Sequence, residues 1–398
     1  MIPALMPTYA RANVAFERGE GAYLYATDGR RYLDFACGIA VTGLGHAHPH
    51  LVAALVEQGR KLWHCSNVFQ IPGQQRLAER LVAASFADTV FFCNSGAEAL
   101  EGGIKLVRKY HDDTGHPERY RIICFHNGFH GRTLATISAG GQEKHLKGFG
   151  PAVEGFDHVA YDNLNEVRAA ITGETAAILV EPVQGEGGLR APGPEFLKRL
   201  RGVCDEYGLL LFLDEVQSGM GRTGKLFAHE WAGIKPDVLS TAKALGGGFP
   251  IGAVLATEKA AVGMTNGTHG STFGGNPLAM AVANAVLDVM LADGFFDRVA
   301  RTGERLAKRL DALVSAHGSV FSERRGMGLL AGLKCADGLA GADVVAKLRE
   351  GGLLTVGAGD NVVRLLPPLI VEDSHLDEAV AILERTAKQI EAARAARS

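Results

Sequence analysis

The sequence predicts an α/β fold, in which helices cover both faces of a mostly parallel β-sheet. Short apolar runs alternate with amphipathic stretches through the middle of the chain, and repeated strand-then-helix units are typical of parallel sheets. Polar motifs directly follow several apolar runs, at the carboxyl ends of strands, where ligands bind in such sheets. Glycine is abundant, 51 of 398 residues, which indicates many tight turns and close backbone approaches.

The element order follows from these patterns. Strands are predicted at 22–25, 31–35, 90–92, 121–125, 177–180, 209–213, 328–333 and 362–366. Helices are predicted at 98–110, 195–207, 276–291, 296–316 and 375–396. We expect a large domain over residues 51–290 and a C-terminal small domain over 291–398. Residues 1–50 are expected to pack with the small domain, so that both chain ends build one α+β unit.

Composition favours a globular enzyme that acts on small molecules. Apolar residues make up 47% and charged residues 21%, and the net charge of -3 comes without a block of like charges. We therefore expect neither a nucleic-acid surface nor a membrane anchor. Six cysteines without C-x-x-C spacing predict reduced thiols and a cytoplasmic location. No signal-peptide pattern and no apolar run near 18 residues is present, so neither export nor membrane spanning is expected.

Asp214 and Lys243 form a candidate catalytic pair. Asp214 follows the apolar run 209–213, and Lys243 precedes a glycine-rich segment that ends at Gly248. Pyridoxal phosphate chemistry needs an amine to hold the aldehyde and a carboxylate to keep the ring nitrogen protonated. Considered alone, Lys243 would be a surface lysine. Its apolar and glycine-rich surroundings favour a desolvated amine with a lowered pKa.

Two further motifs are suited to hold such a cofactor. Ser95, Gly96 and Ala97 stand between a predicted strand and a helix, where backbone N–H groups can receive a phosphate. The alternative is an ordinary serine N-cap with a turn glycine. Phe129 and Arg132 lie close together in one predicted loop, suitable for stacking on a ring and for gripping a carboxylate. The alternative is a packed ring beside a solvated arginine.

Two other patterns are weaker. Gly219–Gly224 matches the spacing of a dinucleotide fingerprint, but it begins five residues after Asp214 and lacks the acidic residue about 20 positions on. The nucleotide triphosphate loop fails as well, because Leu226 replaces the Ser or Thr that binds magnesium. The histidines at 46, 48 and 50 are split by a proline, so a turn or helix-start role is favoured over a metal site, and we predict no metal.

Taken together, the motifs resemble the class III aminotransferases, pyridoxal phosphate enzymes of fold type I. The resemblance covers the chain from about Tyr9 to Leu383. Its most specific segments begin at Phe35, Gly45, Asn94, Phe129, Glu181, Leu213, Ala242, His269 and Val363. The family implies a large domain with a mostly parallel seven-stranded sheet, a smaller α+β domain and a homodimer with shared active sites.

The resemblance also implies how the cofactor is held. Lys243 would bind its aldehyde and then move a proton as a general base, while Asp214 would pair with the ring nitrogen. The remaining cofactor contacts would come from Phe129 on the ring, Gln217 at the phenolic oxygen, and Ser95, Gly96, Ala97, Ser271 and Thr272 at the phosphate. Thr272 would reach across from the second subunit, with Ser271 as a further candidate, so a monomer would have an incomplete site.

The substrates implied are N2-acetyl-L-ornithine and 2-oxoglutarate, giving N-acetyl-L-glutamate 5-semialdehyde and L-glutamate in arginine biosynthesis. Arg132 would bind the α-carboxylate of the donor, and Glu186 would neutralise Arg364 until 2-oxoglutarate enters. Ile39 and Tyr9 are also expected at the substrate. Ornithine aminotransferases of the family carry tyrosine at the position of Ile39, and an apolar residue better suits an acetamide than a free amine.

Alternatives remain open at this point. Related aminotransferases act on ornithine, succinylornithine, succinyldiaminopimelate or 4-aminobutyrate, and a pyridoxal phosphate-binding protein without transaminase activity is a reading from another class. The segment after Glu98 also departs from the family pattern. Leu100 replaces a polar residue there, and Gly102 and Gly103 replace better helix formers at about 1 kcal/mol each, which puts the start of this helix in doubt.

Overall fold

The computed structural model describes residues 2–396. Its strands are β1 (Phe16–Glu20), β2 (Tyr23–Ala26), β3 (Arg31–Asp34), β4 (Thr89–Cys93), β5 (Arg121–Phe125), β6 (Phe156–Val159), β7 (Thr175–Val180), β8 (Leu210–Asp214), β9 (Val238–Thr241), β10 (Gly252–Ala256), β11 (Phe321–Met327), β12 (Leu330–Cys335), β13 (Leu353–Leu354), β14 (Val356–Ala358) and β15 (Val362–Leu365). Its helices are α1 (Cys37–Ala40), α2 (Pro49–Gly59), α3 (Pro72–Ala83), α4 (Gly96–Asp113), α5 (Leu134–Ala139), α6 (Glu143–Leu146), α7 (Leu164–Ala170), α8 (Pro194–Tyr207), α9 (Pro277–Met290), α10 (Phe295–Ala316), α11 (Gly341–Glu350) and α12 (Asp373–Ala395).

A seven-stranded sheet in the order β4-β10-β9-β8-β7-β5-β6 forms the centre of the molecule. Strands β9, β8, β7, β5 and β6 pair in parallel, and β10 runs antiparallel to both of its neighbours. Strand β4 therefore points in the same direction as the parallel strands. Strands β7 and β8 are buried along their whole length, as expected for a sheet covered on both faces. The prediction of a mostly parallel seven-stranded sheet is confirmed.

The two chain ends meet in the smaller part of the fold. Strand β13 pairs in parallel with β3, which places a C-terminal strand in the N-terminal sheet β1-β2-β3-β13. A second four-stranded sheet, β11-β12-β15-β14, is antiparallel throughout. The carboxylate of Glu378 on α12 also accepts hydrogen bonds from Tyr23 and Arg31. The division into domains stays a prediction. Of the two predicted boundaries, residue 50 lies inside α2 and residue 290 ends α9.

Helix α4 is continuous, and its two central glycines have a packing role. A Cβ atom added to Gly103 would lie 2.1 Å from Cζ of Phe212, a fully buried ring on β8. The glycine thus lets the helix backbone lie directly against the sheet, which compensates for its poor helix propensity. Ser95 caps the helix by accepting a hydrogen bond from the backbone N–H of Glu98, 3.2 Å away. The doubt about the start of this helix was therefore wrong.

Among residues 2–396, no single helix is long and apolar enough to cross a membrane. Helices α9 and α10 meet the length and composition criteria only as a pair, and they are bent by 73° relative to each other.

Candidate active site

The carboxyl ends of the central strands surround a cavity of about 440 Å³. Because β4, β5, β7, β8 and β9 all point the same way, the loops that follow them meet at one edge of the sheet. The lining residues are Val41, Asn94, Ser95, Gly96, Ala97, Phe129, His130, Gly131, Arg132, Glu181, Asp214, Val216, Gln217, Ala242, Lys243, Gly248, Phe249, Pro250 and Ile251. Six of the recognised sequence segments thus converge on this cavity, those that begin at Phe35, Asn94, Phe129, Glu181, Leu213 and Ala242.

Asp214 ends β8 at the floor of the cavity and is 4% exposed. Its Oδ2 atom is 2.8 Å from Nδ1 of His130, and its Oδ1 atom accepts the backbone N–H of Val216 at 3.0 Å. Burial alone would lower the pKa of His130, but the hydrogen bond to Asp214 and its negative charge outweigh burial and raise it.

Lys243 follows β9 and lines the same cavity, so the predicted pair does come together. Desolvation lowers the pKa of its amine to about 8, with the nearby charge of Arg364 acting in the same direction and those of Glu186, Asp214 and Glu181 opposing it. Its backbone is left-handed, with φ 48°, which is uncommon for a residue other than glycine. An amine with a pKa near neutrality is suited to attack an aldehyde carbon.

The other predicted cofactor residues of this chain lie around that pair. Ser95 precedes the N-terminus of α4, and the first N–H groups of a helix have no acceptor within it. Gly96 and Ala97 present such groups beside the cavity. The ring of Phe129 lies in the lining, with the guanidinium carbon of Arg132 5.5 Å from its centroid. Arg132 itself is exposed at the cavity mouth.

Glu186 and Arg364 are 178 positions apart in the chain and form an ion pair. Arg364, on β15, is 1% exposed and donates through Nη1 both to Glu186 and to Oε1 of Gln217, the latter at 2.8 Å. Burial would raise the pKa of Glu186, but the charge and hydrogen bond of Arg364 lower it. The Gln217 side chain passes so close to Gly185 that a Cβ there would lie 2.3 Å from Oε1, so a larger residue at 185 would displace the Gln217 amide that Arg364 binds.

Besides Glu186 and Arg364, four other predicted residues lie outside this cavity lining. Ser271 contacts Asn94 within the same chain, Nδ2 to Oγ being 3.2 Å, and Thr272 beside it is exposed. Ile39 is 39% exposed and Tyr9 is 74% exposed. Their predicted contacts with cofactor or substrate stay predictions.

Sequence reasoning assigned no role to two of the titratable lining residues, Glu181 and His130. Glu181 is 6% exposed and binds two backbone N–H groups, those of Phe129 at 2.9 Å and Gly185 at 3.2 Å. Desolvation raises the pKa of its carboxyl to about 7, with His130 opposing and Asp214 adding to the increase. Both residues lie in motifs that the sequence analysis recognised. Glu181 directly follows a strand, and His130 directly follows Phe129.

The weaker sequence patterns have structural explanations. His46 pairs with Asp34, His48 precedes the first turn of α2 and His50 pairs with Asp288, so the three histidines serve separate contacts. Across residues 2–396 no group of three or more His, Cys, Asp or Glu side chains is arranged to hold a metal ion. The Gly219–Gly224 loop joins the two parts of the fold, where Arg222 donates to the backbone oxygens of Leu329 and Pro367.

The cavity fits pyridoxal phosphate on chemical grounds. It combines an amine of lowered pKa, a buried carboxylate held by an imidazole, an aromatic side chain and the N-terminus of an 18-residue helix. Those groups match the aldehyde, the ring nitrogen, the ring face and the phosphate of that cofactor.

Comparison with known proteins agrees with this chemistry. Residues 6–387 match the family model "Aminotransferase class-III". The chain is 60% identical to acetylornithine aminotransferase 1 of Bradyrhizobium diazoefficiens over 396 residues, covering 100% of this chain and 97% of that protein. It is 60% identical to acetylornithine aminotransferase of Mesorhizobium japonicum, covering 97% of this chain and 96% of that protein.

Solved structures give the same result. Ornithine aminotransferase of Toxoplasma gondii superposes with a TM-score of 0.94 at 33% identity, covering 98% of this chain and 93% of that one, and one of its crystal structures has partial occupancy of PLP at the active site. N-acetylornithine aminotransferase of Stenotrophomonas maltophilia superposes with a TM-score of 0.84 at 42% identity, covering 97% and 98%.

The fold and site therefore define a pyridoxal phosphate-dependent transaminase of fold type I, and the predictions of enzyme class and cofactor are confirmed. This chain belongs to the class III aminotransferase family.

Proposed function

We propose that this aminotransferase moves the δ-amino group of N2-acetyl-L-ornithine to 2-oxoglutarate, giving N-acetyl-L-glutamate 5-semialdehyde and L-glutamate. This reaction would serve arginine biosynthesis. Relatives that carry the name acetylornithine aminotransferase, at 55–60% identity over nearly the whole chain, support this choice.

The observation that carries the proposal is the buried Arg364 paired with Glu186, close to a cavity that has a second arginine, Arg132, at its mouth. Two arginines suit a five-carbon dicarboxylate such as 2-oxoglutarate. A donor with a single carboxylate needs only one of them, and Glu186 keeps the other neutralised in the meantime. An unpaired buried guanidinium would be costly, so this carboxylate is expected to stay in place until the second substrate enters.

The residues around the cofactor have complementary tasks. When bound, pyridoxal phosphate withdraws electrons from the amine-bearing carbon of the substrate. Asp214, held by His130, keeps the proton on the ring nitrogen. Lys243 moves a proton between the substrate carbon and C4′ of the cofactor, a task suited to an amine whose pKa is about 8.

Free ornithine is the second candidate donor, favoured by the TM-score of 0.94 with a protein named ornithine aminotransferase. Ile39 favours the acetylated donor, because an apolar side chain offers no partner to the free α-amine of ornithine. Steady-state rates on acetylornithine, ornithine, succinylornithine, succinyldiaminopimelate and 4-aminobutyrate would decide. We expect the highest kcat/KM for acetylornithine, and an equal or higher value for ornithine would overturn the assignment.

The active form is proposed to be a homodimer. The segment 62–69 and the loop around Phe273 lie together, since Asn67 donates to the backbone oxygens of Ser271 and Gly274 at 2.9 and 2.8 Å. Large apolar side chains of this surface are exposed, namely Leu62 47%, Trp63 68%, Val68 81%, Phe69 68% and Phe273 61%. Such a patch is typical of a protein interface, and it includes the neighbours of Thr272.

A cytoplasmic location is proposed from the cysteines. All six are unpaired, and five of them are buried. Reduced thiols are usual in the cytoplasm, where disulfides are rare.

A further inference from the structure

Glu181 connects two loops of the active site through its two carboxylate oxygens. It is the first residue after β7. Oε1 accepts the backbone N–H of Phe129 at 2.9 Å, and Oε2 accepts the backbone N–H of Gly185 at 3.2 Å. Phe129 belongs to the loop after β5, whereas Gly185 belongs to the loop after β7, so one side chain fixes the distance between them.

The two loops carry the residues that the proposed function assigns to substrate carboxylates. Arg132 stands three positions after Phe129, and Glu186 directly follows Gly185. Glu186 in turn holds Arg364. Glu181 thus connects the loop that carries Arg132 with the loop that carries Glu186, and it forms an ion pair with neither Arg132 nor Arg364.

We propose that Glu181 is a positioning residue, which sets the separation of Arg132 from the Glu186–Arg364 pair and thereby the length of dicarboxylate that the site accepts. The inference rests on the proposed function for the identity of the acceptor only. For this positioning role, residue 181 needs two acceptor oxygens that reach the backbone N–H groups of Phe129 and Gly185 at the same time.

The chemistry of the connection requires a carboxylate of this length. A carboxylate accepts two N–H bonds at once, whereas the amide of glutamine presents one acceptor oxygen and one NH₂ group. In Glu181→Gln that NH₂ group faces a backbone N–H, and one loop is released. Aspartate keeps the charge but is shorter by one methylene, so it reaches only one of the two loops.

The charge of Glu181 offers a competing explanation for any effect of mutation. The charged or titratable groups that face it are His130, Asp214, Lys243 and Tyr161, whose hydroxyl donates to the Glu181 backbone oxygen at 2.8 Å. The aspartate variant separates the effect of charge from the effect of positioning. It keeps the negative charge, but its shorter side chain cannot contact both loops.

The test compares Glu181→Gln and Glu181→Asp with Asp237→Asn in the cofactor-loaded enzyme. Asp237 also connects two elements, since its Oδ2 accepts from the backbone N–H of Leu211 at 2.8 Å and from Arg201 at 2.7 Å, but it does not line the cavity. KM and kcat would be measured for 2-oxoglutarate. Binding of glutarate, an unreactive dicarboxylate of the same length, would be measured by calorimetry.

We expect both Glu181 variants to raise the KM for 2-oxoglutarate and the dissociation constant of glutarate about tenfold, with kcat within about threefold of wild type. Asp237→Asn should lower the melting temperature and leave both constants unchanged. Wild-type glutarate binding in both Glu181 variants would overturn the proposal, as would normal binding in Glu181→Asp alone. Calorimetry needs no turnover, so an error in the proposed amino donor would leave this result interpretable.

Discussion

At the scale of single residues, Lys243 combines an unfavourable backbone conformation with a buried amine. Its φ of 48° is in the left-handed region, and desolvation lowers the pKa of its amine to about 8. Both features cost stability, which is common where a catalytic group must be held ready. A bound cofactor that takes up the amine would remove the charge and this part of the cost.

Stability of the cofactor-free protein should reveal the cost at Lys243. The amine has its ordinary pKa of 10.5 when unfolded and about 8 when folded, so the unfolded state binds more protons between these values. Stability therefore rises with pH across that window and is lower below pH 8. We expect cofactor-free Lys243→Met to melt at a higher temperature than wild type at pH 7, with the difference shrinking towards pH 10.5. A difference that does not change with pH would contradict the lowered pKa.

Glu186→Gln should affect the two substrates unequally. Without the carboxylate, Arg364 keeps its charge while the donor is bound and competes with Arg132 for the donor carboxylate. The KM for acetylornithine is expected to rise about tenfold, equivalent to about 1.4 kcal/mol, and that for 2-oxoglutarate to change less than threefold. Glu195→Gln, which removes an exposed partner of Lys198, is the control. Equal effects on both substrates would argue against a switching pair.

At the scale of elements, helix α4 shows how tertiary packing can compensate for residues of low helix propensity. Its glycines lower helix propensity, yet Gly103 permits contact with the ring of Phe212 on β8. This contact holds the N-terminus of the helix at the cavity, where Gly96 and Ala97 lie. Propensity alone cannot reveal the contact, because the two residues are more than 100 positions apart.

Gly103→Ala should destabilise the protein by about 1–3 kcal/mol, because the added methyl group overlaps a fully buried ring. Gly202→Ala in α8 is a matched control, since no atom lies within 4 Å of its added Cβ. That substitution should stabilise by about 0.5–1 kcal/mol. Chemical denaturation measures both. Similar effects of the two substitutions would mean that α4 is not in close contact with β8.

The sequence predicted the elements whose pattern is local and strong. The predicted strand at 121–125 and helix at 296–316 agree with β5 and α10 to within one residue. The antiparallel β10 was missed, because its short apolar run follows a glycine-rich segment and carries no sign of strand direction. In the site, Lys243 and Asp214 were recognisable from their neighbours. Glu181 was not, because its partner Phe129 is 52 positions away and the contact goes to backbone.

At the scale of the whole molecule, the exposed apolar surface at 62–69 and Phe273 favours a dimer over a monomer. These side chains lie beside Thr272, the residue expected to complete the partner's phosphate site. We therefore expect the dimer to retain the cofactor more tightly than the monomer does.

Trp63→Asp should shift the protein towards monomer and weaken cofactor retention together. A buried interface does not tolerate an unpaired charge, and Trp63 is 68% exposed in the single chain. Sedimentation measures the first effect, and dialysis followed by visible absorbance measures the second. Tyr207→Asp removes another exposed ring, on α8, and should change neither. A monomer that retains cofactor normally would contradict the shared site.

The pairing of β13 with β3 has a consequence for synthesis on the ribosome. The N-terminal sheet lacks its fourth strand until residue 354 has left the exit tunnel, and Arg364 emerges later still. A growing polypeptide can therefore complete its central sheet before the residue proposed to recognise the acceptor has been made. A chain that stops before residue 364 would lack the buried guanidinium that is proposed to recognise the acceptor.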